Sequence, residues 1–164
     1  MKTRKITVAA VLTALAMILS YLESLIPAFV ALPGVKIGLA NIVTVFALYM
    51  IGWRGAICVS LVRALLTALL FGNAASLFYS LCGALLSFAG MLLIKAIPLF
   101  SPVGVSTVGG VLHNIGQIFA SALLMKTAAV FAYLPVLLLS GTIGGVVVGI
   151  AAGLLVVRLE KVLK

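Results

Sequence analysis

Apolar residues run through this chain in long blocks, broken only by short clusters of Gly, Pro or charge. Blocks of this length predict helices that cross a bilayer, because about 20 helical residues span a hydrocarbon core of about 30 Å. The breaks fall at Leu32-Pro33-Gly34, Gly52-Trp53-Arg54, Gly72-Asn73, around Pro98 and Pro102, and at Lys126-Thr127. They give six predicted helices, at 6–28, 35–51, 55–71, 74–97, 103–125 and 135–158. The last apolar stretch, Thr127–Val157, would be about 46 Å long as a single helix, too long for that core. Pro135 suits a first helical turn, so Ala128–Leu134 is expected to be a loop or a short interfacial cap. Nothing alternates with the period of two that a β-barrel needs. The expected fold is all-α, a six-helix integral membrane bundle forming one domain over residues 1–164.

Composition agrees with this pattern. The chain is 65% hydrophobic with mean hydropathy +1.43, and a soluble domain has no core large enough to hide that much apolar surface. A net charge of +9 raises the question of nucleic acid, but the basic residues form no patch with interleaved aromatics. No nucleic-acid partner is expected. The basic start (Lys2, Arg4, Lys5) ahead of an apolar run also resembles a cleaved signal peptide. That run continues past signal length, and the rest of the chain spans the membrane regardless. Cys58 and Cys82 fall within predicted spans and read as small packing residues, without disulfide or metal spacing.

Charge then sets the expected orientation. With the N-terminus inside, the inner side carries Lys2, Arg4, Lys5, Arg54, Lys95, Arg158, Lys161 and Lys164. The outer side carries only Lys36 and Lys126, so the positive-inside rule places both termini in the cytoplasm of a prokaryotic cell. Arg63 lies within a span.

Orientation gives each intramembrane polar residue a depth. Glu23 is one of only two acidic residues and lies near the outer end of helix 1, where an uncompensated carboxylate costs several kcal/mol. Asn41 is near the outer start of helix 2, after Lys36. Arg63 is mid-span in helix 3, and Asn73 lies in the helix 3–4 turn. His113, Asn114 and Gln117 fall at i, i+1 and i+4 on helix 5, on one broad face. These residues converge on the middle and outer half, leaving the inner half nearly free of polar groups. Glu23 and Arg63 differ in depth by roughly 6 Å, which an Arg side chain can bridge. Their pairing would serve a binding site or a purely structural ion pair equally well. The other polar residues have a structural reading too, as bonds between helices or as solvated interfacial groups.

Small residues add a second pattern. Gly141, Gly145, Gly149 and Gly153 recur every four residues on helix 6, a ridge suited to close internal packing. Ala10 and Ala14 make a shorter version on helix 1, which periodicity leaves open between internal packing and an external partner.

Three stretches carry a family resemblance: LPGVKIGLANIVTVFALY (Leu32–Tyr49), SLCGALLS (Ser80–Ser87) and GVSTVGGVLHNIGQ (Gly104–Gln117). They resemble the Gx transporter family, also labelled heptaprenyl diphosphate synthase component I, over nearly the whole chain. That family is similar to the substrate-binding S-components of energy-coupling factor (ECF) transporters. The resemblance implies six helices with both termini inside and a ligand held near the outer surface. It also implies docking onto a transmembrane coupling subunit that carries two ATPases, with Ala10 and Ala14 matching the helix 1 motif for that contact. The helix 1–2 connection, which includes Lys36, corresponds to a loop that helps close the site, although here it is short.

The functional expectation is a substrate-binding subunit of an ATP-driven importer of small molecules. Arg63 and Lys36 would attract an anionic group; Asn41, Asn73, His113, Asn114 and Gln117 would orient the ligand; Glu23 would hold Arg63 or accept from the ligand. That ligand would be anionic or strongly polar, while apolar walls also suit an isoprenoid or a flavin-like ring. The chain lacks a phosphate-binding loop of the form G-x-x-x-x-G-K-[ST], so any ATP hydrolysis belongs to partners. It also lacks Asp, and prenyl elongation needs Mg²⁺ held by clustered carboxylates. Neither enzymatic activity nor a resident cofactor is expected. The alternatives are a non-catalytic membrane partner of a polyprenyl diphosphate synthase and a structural assembly subunit.

Overall fold

The computed structural model describes residues 2–25 and 38–163. In chain order they form α1 (Lys2–Leu25), α2 (Leu39–Met50), α3 (Trp53–Phe71), α4 (Ala74–Lys95), α5 (Pro102–Met125), a 3-10 turn (Ala129–Tyr133) and α6 (Leu134–Leu163). No strand occurs among the described residues. Successive helices alternate in direction. The ends of α1 and α3 meet where Tyr21 and Phe71 stack with ring centroids 5.1 Å apart. The ends of α2 and α4 meet at the opposite pole, where Lys95 reaches Leu48.

Five of the helices are long and apolar enough to cross a membrane; α2 is not. Its 12 residues rise about 18 Å, well short of a hydrocarbon core of about 30 Å. Among the described residues, five of the six expected spans are helices of spanning length. The predicted start of helix 2 at residue 35 lies outside the described residues, and α2 starts at Leu39 because of Gly38. With φ of 81°, Gly38 adopts a left-handed conformation that glycine tolerates and a right-handed helix excludes.

Although short, α2 is central. Ala40, Val43, Val45, Ala47 and Leu48 are buried in the main core, where α1, α3 and α6 all pack against α2. At its far end the helix leaves backbone carbonyls without intrahelical partners. Lys95 Nζ donates to Leu48 O at 2.6 Å and lies 4.3 Å from the centroid of the Tyr49 ring. A cation is favourable at both helix C-termini it touches.

Elsewhere the boundaries shift for local reasons. The fourth helix stops at Lys95 rather than at 97, since Pro98 disfavours helical backbone in the residue before it. The sixth runs on past 158 to Leu163, because charged residues end a membrane span without ending a helix. The expected cap before Pro135 is the 3-10 turn.

α5 packs most extensively, between α4 and α6. A Cβ on Gly145 would lie 2.6 Å from Thr107 Cα, and one on Gly149 would lie 2.6 Å from Val103 Cα. Gly141 and Gly110 face one another just as closely, backbone to backbone. Gly153 is different: its nearest neighbour across the interface is Pro102 Cβ at 3.6 Å, an ordinary contact. Toward α4, Gly116 sits over Cys82 and Gly109 over Met91.

The outer surface is apolar. On α1 the buried Leu12 and Ala16 face inward, while Val11 (63% exposed) and Leu15 (45%) face outward. Ala10 and Ala14 share that outward side. No other described helix covers them. Cys58 is exposed, Cys82 is partly buried, and both are free thiols.

Candidate ligand cavity

Helical periodicity turns one polar stripe of each helix inward. On α3 this stripe carries Arg63 and Thr67, one turn apart. On α1 it carries Ser20, Glu23 and Ser24, and on α5 it carries His113, Asn114 and Gln117. With Asn41 of α2, Ser80 and Ser87 of α4 and Ser140 of α6, these side chains line a cavity of about 210 Å³. All six helices contribute to it.

The charged residues have defined neighbours. Glu23 Oε1 accepts the Gly38 N–H at 2.5 Å, so the left-handed glycine that delays α2 also aims its amide at the carboxylate. Arg63 Nη1 donates to Ser20 Oγ at 3.3 Å. The expected direct pairing of Glu23 with Arg63 therefore takes another form: both line the cavity, and each makes its hydrogen bond to a different residue.

Two donors on α3 are left over. Arg63 Nε and Thr67 Oγ1 are buried without a hydrogen-bond partner among the described residues. An unsatisfied buried polar group costs about 1–3 kcal/mol, and more when it is charged. Both residues line the cavity, so an acceptor placed there would relieve both costs. Thr44 Oγ1 is a third orphan, on α2 and away from the lining.

The remaining sequence candidates separate. His113 and Gln117 face α4, where a Cβ on Gly83 would lie 3.0 Å from His113 Cε1 and from Gln117 Cγ. Asn114 faces α6, its Nδ2 donating to Leu137 O at 2.6 Å and to Ser140 Oγ at 3.4 Å. It joins two helices at the cavity edge. Asn73 is not in the lining. It caps α4 instead: its Oδ1 accepts from Ser76 N at 2.8 Å, and its own N–H donates to Ser76 Oγ at 2.8 Å. Lys36 lies outside the described residues. Replacing Asn73 by Ala is expected to cost about 1 kcal/mol of stability, as loss of an N-cap does. Thermal unfolding in detergent checks this, and the affinity of any cavity ligand should stay within about twofold.

Sequence reasoning missed the hydroxyls. Ser20, Ser24, Ser76, Ser80, Ser87, Ser106 and Ser140 all line the cavity, and Ser87 and Ser106 carry it toward the Lys95 end. The half of the bundle expected to be free of polar groups is therefore not free of them. Serine is common in membrane helices, where it bonds back to its own backbone. Only convergence in space singles these residues out.

An apolar exterior, five helices of spanning length and a cavity lined with polar side chains define a helical membrane protein. The chain belongs to the family described as heptaprenyl diphosphate synthase component I, whose model matches residues 12–155. No curated protein and no solved structure matches it.

Proposed function

We propose that this chain is a non-catalytic membrane subunit that holds a small polar molecule among its helices. The observation that carries this reading is the pair of unpartnered donors, Arg63 Nε and Thr67 Oγ1, lining one cavity. A purely structural bundle would gain from satisfying or replacing them. The chain acts as one membrane domain with both termini in the cytoplasm, which the eight-to-two distribution of basic residues supports.

Two assemblies would use such a subunit. The family's description favours the first, a membrane partner of a heptaprenyl diphosphate synthase. Catalysis would then belong to another component, since this chain has no Asp and its two Glu residues are far apart in sequence. The second is an importer of the ECF type, in which a coupling subunit meets α1 at Ala10 and Ala14 and separate subunits hydrolyse ATP. The exposed position of both alanines supports it, as does the polar character of the cavity.

Affinity capture from detergent-solubilised membranes, followed by mass spectrometry of proteins and extracted small molecules, tests both levels. A bound molecule at stoichiometric amount is expected. Recovery of a prenyl synthase component selects the first assembly, and recovery of ATPases with a membrane coupling subunit selects the second. Finding no small molecule would contradict the binding role itself.

A further inference from the structure

The size and charge of the cavity limit what it can hold. We propose that its ligand is a small zwitterion about the size of a single ring, its anionic group on Arg63 and Thr67 and its cationic group toward Glu23. This rests on the cavity being a ligand site, as proposed above.

Size comes first. An engineered apolar cavity of about 150 Å³ accommodates benzene. By proportion, a cavity of about 210 Å³ takes roughly eight non-hydrogen atoms. A heptaprenyl chain is several times larger than this volume.

Charge comes second. Among the described residues, the titratable side chains in the lining are Glu23, Arg63 and His113. Arg63 and Glu23 carry opposite charges, which cancel. A ligand with net charge would leave that charge uncompensated inside an apolar bundle, at high cost. A diphosphate is the worst case. A zwitterion keeps the balance.

Geometry comes third. Ser20 takes Nη1 of Arg63, while Nε and the Thr67 hydroxyl both stay without a partner among the described residues. The two donors sit one helical turn apart on α3, suited to the two oxygens of a carboxylate. Glu23 uses Oε1 for Gly38, yet a carboxylate accepts at both oxygens and has capacity left for an ammonium group. Ser20 and Gly38 thus take one position on each charged group, and the proposed ligand takes another on each.

The test uses the full chain in detergent and a panel matched in ring size. The panel comprises the zwitterions L-proline and pipecolate, the carboxylates cyclopentanecarboxylate and cyclohexanecarboxylate, and the amines pyrrolidine and piperidine. Affinity is read by calorimetry and thermal shift. At least one zwitterion should bind roughly tenfold or more tightly than its matched carboxylate and amine, the usual effect of one charged hydrogen bond. Glu23→Gln should shift the preference toward the carboxylates, because the cavity then carries a net positive charge. Wild-type preference for a carboxylate or an amine would overturn the zwitterion assignment while leaving the cavity a ligand site. Binding of no member of the panel would overturn it too, whereas a molecule co-purifying with the chain would still uphold the binding role. If Glu23→Gln fails to fold, the wild-type ranking decides.

Discussion

Arg63→Met is expected to lower ligand affinity by about two orders of magnitude while the protein stays folded. Truncating one member of a buried, hydrogen-bonded charge pair commonly costs 2–5 kcal/mol of binding, roughly 30- to several-thousand-fold. Stability should behave differently. Arg63 has Ser20 as its hydrogen-bond partner and an unsatisfied Nε, so the fold gains little from the charge. Removing one member of a buried charge pair leaves the other uncompensated, whereas neutralising both is often harmless or stabilising, so stability is read on Arg63→Met combined with Glu23→Gln. A glutamine at position 23 can still accept the Gly38 amide through its side-chain oxygen. Unchanged or raised thermal stability together with lost binding would set Arg63 apart from a structural residue. Loss of folding with no binding to lose would assign it to the scaffold.

The largest effect on stability is expected at Gly145→Val. A Cβ there would lie 2.6 Å from Thr107 Cα and 2.9 Å from Ser106 O. Both are helical backbone and cannot rotate away as a side chain would. α5 and α6 would have to separate along the interface that also carries the Asn114–Leu137 hydrogen bond and one wall of the cavity. Overpacking costs of about 1–3 kcal/mol assume that neighbouring side chains can adjust, so the cost here lies at or above the top of that range. Size-exclusion chromatography should show loss of the monodisperse species. Gly153→Ala is the control, since Pro102 Cβ at 3.6 Å is an ordinary neighbour, and it should be tolerated.

The contrast between these glycines shows how far the sequence could be read. The spacing of Gly141, Gly145, Gly149 and Gly153 predicts a packing ridge, and three of the four lie against α5 backbone. The fourth has the same spacing but meets the side chain of Pro102, the first residue of α5, which period alone cannot reveal. The turn signals at Gly52, Gly72-Asn73, Pro102 and Lys126 mark true helix ends, because each residue type there ends or starts a helix for a local reason. Asn73 is legible as a turn residue, and its contact with Ser76 makes it a cap rather than part of the cavity lining. The length of α2 depends on Gly38, whose glycine identity permits the left-handed conformation without requiring it.

The cavity was partly legible. Charge in an apolar run singles out Glu23 and Arg63, and both line it. Their partners are not legible: Gly38 offers a backbone amide, and Ser20 and Thr67 are hydroxyl residues of a kind found all along the chain. Asn114 and Gln117 look alike in sequence, yet one faces α6 and the other α4. A difference of about 60° around α5 separates them.

The decisive measurement is an electron cryo-microscopy map of the protein as purified from its native membrane. Non-protein density is expected in the cavity, within hydrogen-bond distance of Arg63 Nε and Thr67 Oγ1 and extending toward Glu23. A closed interior in which Arg63 binds Glu23 directly, with no ligand between them, would contradict it.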